Sequence, residues 1–139
     1  MRKITLEFQE KKLNIEDIST FEKEYKFVLP ESYKKFLLEN NGGIPKESIF
    51  WDGTIESHVS NFYSLKYGNV TLENIIKEIH REDALPTIFF PFASTGGGGD
   101  YAFSLKDSNF GEVYLFHYDG SEPFKICSSF DDFIKSLEE

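Results

Sequence analysis

The chain has 139 residues, of which 40% are hydrophobic and 17% aromatic, so it is the size of one ordinary domain and can bury a core without staples. Cys127 is the single cysteine, which excludes an internal disulfide and a CxxC-type zinc site. No apolar run approaches the roughly 20 residues of a membrane helix, and Glu7 interrupts any signal-peptide core.

Fifteen basic against 24 acidic residues give a net charge of −9, spread along the chain, which speaks against direct binding to nucleic acid or to an anionic membrane. The acidity has two readings, solubility alone or attraction to a basic partner. One cytoplasmic domain over residues 1–139 is expected.

In chain order, Asn14 precedes Ile15, Ile18, Phe21 and Tyr25, whose spacing makes one apolar stripe and predicts a helix over 15–25. Pro30 fits the first position of a second helix with Tyr33, Phe36 and Leu37 on its inner face. Asn41-Gly42-Gly43 is expected to end it, glycine taking the left-handed position past the last turn. From Ile44 to Lys66, aromatic and β-branched residues broken by Pro45, Asp52-Gly53 and Tyr67-Gly68-Asn69 suggest two strands.

Thr71 can cap a helix over 72–82 with Leu72, Ile75, Ile76 and Ile79 on one face, and Pro86 stops anything continuing past Leu85. Four strands are expected after it, Thr87–Ala93, Tyr101–Leu105, Val113–His117 and Phe124–Cys127, in antiparallel order because their connections are short. Ser129 with Asp132 resembles a capping box before a closing helix whose inner face is Phe130, Phe133, Ile134 and Leu137. The expected class is α+β: a single antiparallel sheet with helices packed on one face, the other face partly free and rich in Phe and Tyr.

The glycine run Gly96–Gly99 lacks the Gly-Lys-Ser/Thr of a phosphate loop, and Asp100 after it would repel phosphate. Four glycines in place of alanine would weaken a regular element by roughly 2 to 4 kcal/mol. The run therefore marks a hairpin loop or bulge, or a loop that also lets a partner approach the backbone. His58, His80 and His117 lack metal-ligand spacing, and Cys127 in a strand pattern reads as a buried thiol. Abundant carboxylates do not define a catalytic pair, and no nucleophile, base and oxyanion donor assemble; neither an enzyme nor a cofactor is expected. Trp51-Asp52-Gly53 and Tyr118-Asp119-Gly120 both put an aromatic and an acid at a turn. They are either rim core residues at ordinary turns or aromatic anchors with acids for a partner's Arg or Lys.

Four ordered segments carry a family resemblance. Phe21-Glu22 with Val28-Leu29-Pro30-Glu31-Ser32-Tyr33-Lys34-Lys35-Phe36-Leu37 and Asn40-Asn41-Gly42-Gly43 resembles the opening of the SUKH superfamily (Smi/Knr type), with its "LPxxYKxFL … NGG" pattern. Pro91-Phe92-Ala93 through Gly98-Gly99-Asp100-Tyr101 is similar to that family's "PIA … GGGD" hairpin. Gly111-Glu112-Val113-Tyr114 through His117-Tyr118-Asp119-Gly120 is similar to its "G-x-V-Y … H-D/E-G" strand, and Ser129 to Leu137 to its last helix.

The resemblance implies an α+β fold without catalytic residues, in which Pro30, Tyr33, Gly42, Gly43, Gly98 and Gly99 are structural. It further implies either an immunity protein that binds and neutralises a secreted toxin domain, in such proteins often a nuclease, or a non-catalytic regulator of the cell-wall glucan-synthesis type. The expected partner is a basic toxin protein. The expected contacts are Trp51, Asp52, Glu56, Asp100, Tyr118, Asp119 and Glu122, as an aromatic-centred patch rimmed by acids.

Overall fold

Helix α1 spans Ile15–Tyr25. The Asn14 side chain accepts the Asp17 amide at 2.9 Å, and the Asp17 carboxylate accepts the Asn14 amide at 3.0 Å, a reciprocal cap that satisfies two otherwise orphaned donors. Its stripe buries Ile18 and Phe21. Helix α2 spans Glu31–Glu39 and buries Tyr33, Phe36 and Leu37. Pro30 lies one residue outside it, with ψ of 140°, and contributes its carbonyl to the Lys34 amide at 3.0 Å. Helix α3 spans Leu72–Arg81 and α4 spans Phe130–Lys135. The computed structural model describes residues 1–81 and 86–139; the expected last residue of α3, Glu82, and Leu85 before Pro86 lie outside the described residues.

The glycines after α2 do other work than the expected helix cap. Asn40, extended at φ −140°, closes the helix. Gly42 adopts φ +76°, and a Cβ there would meet Ser64; at Gly43 it would press on the Glu7 carbonyl oxygen at 2.7 Å. Both glycines therefore permit close approach of chain to chain. Between helix and glycines, buried Asn41 donates to the carbonyls of Lys11 (2.8 Å) and Leu65 (3.0 Å) and accepts from the Leu65 amide (2.8 Å). It supplies backbone partners where no strand does.

Antiparallel strands form three sheets among the described residues, not one. The largest, of five strands, is ordered β5 (Asn61–Phe62), β6 (Phe89–Ser94), β7 (Asp100–Ser104), β8 (Val113–Phe116) and β9 (Phe124–Cys127). Its last four members are the expected meander, with ends shifted by one or two residues. The segment 44–66 holds four short strands instead of two: β2 (Ile44–Pro45), β3 (Ile49–Trp51), β4 (Glu56–His58) and β5.

Two further strands take these up. β1 (Leu6–Glu7) pairs with β2, and β10 (Leu137–Glu138) pairs with β3 beside β4. Leu137 is thus buried from a strand, because α4 stops at Lys135. Leu6 pairs with Pro45 and Leu137 with Phe50, partners so far apart in the chain that they leave no local signal, which is why the extra sheets are invisible in the pattern.

Side chains alternate across β7, and this alternation positions everything that follows. Tyr101 and Phe103 face the helices with Phe90 and Phe92. Tyr33 lies edge-on to Phe103 (4.9 Å) and Phe130 (5.3 Å), and Phe133 lies 5.4 Å from Phe92. Each such ring contributes about 1.5–3 kcal/mol by burial, plus roughly 0.5–1.5 for favourable ring pairs. The opposite face carries Asp100, Ala102 and Phe116, with Ile79 of α3, Phe89 and Tyr114 packed on it. Helix α3 thus reaches round to the second face, and the expected one-sided packing holds for α2 and α4.

Candidate partner-binding surface

The expected contact residues separate into two groups, and consecutive residues of β7 hold both. Tyr101 points to the helix side. Its hydroxyl shares a hydrogen bond with Ser57 Oγ (2.5 Å) and donates to the His58 carbonyl (3.0 Å), fastening the β3–β4 hairpin. Asp100 points to the other side. One of its oxygens accepts the Tyr63 hydroxyl and the other the Tyr118 hydroxyl at 2.9 Å.

On the hairpin, Trp51 pairs with Glu56 across the turn and leaves 44% of its surface exposed. Asp52 accepts the amides of Thr54 (2.8 Å) and Ile55 (2.7 Å). These two bonds favour the ionised form and hold its carboxyl below the usual range.

In the β8–β9 turn, Tyr118 stands at φ +58°, a costly conformation for a side chain of this size. Its ring stacks on Phe116 at 6.1 Å, and 36% of it remains exposed. Asp119 beside it accepts the Ser121 hydroxyl and amide, which lowers its pKa. Glu122 is exposed, and so is the Phe124 ring, 6.0 Å from His117. Both turns therefore present a partly exposed aromatic beside a carboxylate kept charged by hydrogen bonds within its own turn, from the Ile55 and Thr54 amides for Asp52 and from the Ser121 hydroxyl and amide for Asp119.

Asp100 departs from its expected place on the rim. It is 4% exposed, so it offers no face to a partner and instead positions Tyr118 from below. Burial raises its pKa, against the opposing pull of the Tyr63 and Tyr118 hydroxyls. The unfolded chain then gives up this proton at a lower pH than the folded one, so stability falls as pH rises from the ordinary carboxylate range through the raised value. Asp100→Asn cannot ionise. Urea denaturation at steps between about pH 4 and about pH 7 is expected to show wild type losing stability relative to the variant as pH rises. A difference that is flat with pH would contradict this.

Tyr63 was missed in the sequence because the 37 residues separating it from Asp100 leave no spacing signal. Burial pushes the Cys127 thiol up to about 12, in keeping with an inert side chain. No group of three or more metal-ligating side chains occurs among the described residues, and no helix described is long and apolar enough to cross a membrane.

The fold and these surfaces define an α+β protein whose sheet ends present aromatic and acidic side chains. Residues 12–136 match the SMI1 / KNR4 family (SUKH-1), and the chain belongs to that family. A comparison with curated proteins gives no significant match.

Proposed function

We propose that this protein is an immunity protein that binds a cognate secreted toxin domain, a basic nuclease, and neutralises it by covering its working surface. The observation that carries this reading is the β8–β9 turn: Tyr118 is exposed yet fixed by Asp100, and the ionised Asp119 stands beside it. A rigid aromatic anchor loses little entropy on binding. The acids Asp119 and Glu122, with Asp52 and Glu56 near Trp51, steer a cationic partner toward it. A nuclease must be basic where it grips phosphates, so an acidic cover fits that surface in sign. Family membership supports a role in binding a protein.

The test is neutralisation. Cells expressing the secreted toxin domain encoded beside this gene are expected to grow when this protein is co-expressed, and the two chains to co-purify. Continued toxicity, with no complex on size-exclusion chromatography, would contradict the proposal.

A further inference from the structure

The two halves of the candidate surface lie on opposite faces of the main sheet. Tyr101 fastens the β3–β4 hairpin on the helix side, while Asp100 and Phe116 hold Tyr118 on the other. A partner that touches both Trp51 and Tyr118 has to pass round an edge of the sheet. The edge at β5 is covered, because Phe62 and Gly43 exchange backbone hydrogen bonds of 2.8 and 3.2 Å. The edge at β9 is open: β9 pairs with β8 on one side, and no other backbone group of the described residues bonds to it.

Cross-strand partners share a face of the sheet, which places the side chains of β9. Phe124 lies opposite Leu115, itself opposite Tyr101, so its ring stands on the helix side, 36% exposed. Lys125 lies opposite Tyr114 on the other face and is paired with Glu112 at 2.8 Å. The turn that holds Tyr118 leads into the strand, and the far end of the strand reaches the hairpin. Burial first, and then the carboxylates of Asp132 and Asp52, push the Cys127 thiol up, so both acids stand near the last residue of β9. An open edge of four residues, about 13 Å long, therefore runs from the Tyr118 turn to the Trp51 turn.

Charge decides what fits this edge. Asp119 stands beside Tyr118 at its start and Asp52 and Asp132 at its end, and none of the three is in an ion pair among the described residues. A second copy of this chain would bring the same acids against them, and the register shift at Ile126 opposes flat pairing between copies. A basic segment meets charges of opposite sign at both ends.

We infer that the free edge of β9 takes up an extended basic segment of the toxin as an added strand. Its backbone pairs with Phe124–Cys127, and its Lys or Arg side chains reach Asp119 at one end and Asp52 and Asp132 at the other. Strand addition supplies affinity through the backbone and specificity through the side chains. The toxin then straddles the edge and reaches Tyr118 on one face and Trp51 on the other. This inference rests on the immunity reading and adds to it a mode of binding and one further residue, Asp132.

The experiment is amide hydrogen exchange, read by nuclear magnetic resonance, on this protein alone and with the toxin domain encoded beside its gene. The outward amides of β9 are expected to exchange at least about tenfold more slowly in the complex. Asp132→Lys should weaken binding about tenfold, whereas Glu24→Lys, the same change of charge on the exposed side of α1, should leave it unchanged; a thermal scan checks that both variants fold. A complex that protects either turn while the β9 amides stay unchanged would overturn the inference and leave the immunity reading standing. The lack of any complex would overturn both. Slowing of the same amides in this protein alone as its concentration rises would overturn it in favour of a second copy. Equal weakening by the two variants would assign the effect to overall charge and overturn it as well.

Discussion

Phe36→Ala combined with Leu37→Ala is expected to leave the chain unfolded or nearly so at room temperature. Both side chains are almost fully buried. Phe36 lies 5.1 Å from Phe62 and 5.1 Å from Phe130, joining an edge strand of the main sheet to the last helix, so surrounding groups cannot collapse into the gap without breaking that join. Deleting a buried Phe costs about 3–5 kcal/mol and a buried Leu about 2–5, against a total stability of about 5–15 for a domain of this size. Neighbouring cavities couple, so the sum is not additive, yet its lower end of about 5 kcal/mol cancels a stability at the low end of that range and its upper end of about 10 cancels one in the middle. Far-ultraviolet circular dichroism and a thermal scan read the result directly. A cooperative transition at the wild-type temperature would mean that α2 does not carry the core.

Gly99→Val is expected to cost at least about 2 kcal/mol, for a reason that differs from that of the glycine before it. A Cβ at Gly99 would be driven into the Phe116 carbonyl oxygen and against Thr95 Oγ1 at 3.1 Å. A backbone oxygen at the end of β8, where Phe116 pairs with Asp100, cannot swing aside as a side-chain tip can. Gly98 meets nothing but stands at φ +93°, so a side chain there is strained by roughly 1–2 kcal/mol through conformation alone. Gly97, with neither constraint beyond Thr95 Oγ1 at 3.9 Å, should accept alanine within about 0.5 kcal/mol. Chemical denaturation of the three variants is expected to rank them in that order. Gly97→Ala falling as far as Gly99→Val would show that the loop as a whole, and not the approach to Phe116, sets the requirement.

Legibility in the sequence follows how local each cause is. The α1 stripe, the Ser129 cap of α4 and the β6–β9 meander depend on residues a few positions apart, and periodicity and turn residues report them. β10 pairs with β3, and Asn41 serves Lys11 and Leu65; such partners meet only in space.

The candidate surface divides the same way. Trp51, Asp52, Tyr118 and Asp119 stand at turns, as the Asp-Gly pairs indicate. Asp100 shares their turn-like context but is drawn inward by two tyrosines from distant segments. An acid after a glycine run reads as exposed until the hydroxyls that bury it are known.

The central claim is that acids at the turns steer a basic toxin onto this protein. It is tested most directly by stopped-flow association of Asp52→Lys with Asp119→Lys against the toxin domain, at low and moderate salt. Both carboxylates are exposed and bonded only within their own turns, so folding should survive, as a thermal scan will confirm. The double variant is expected to associate at least about tenfold more slowly at low salt and to lose most of its salt dependence. Wild-type rates and an unchanged salt slope in the folded variant would contradict the account and leave the acidity of this chain to solubility alone.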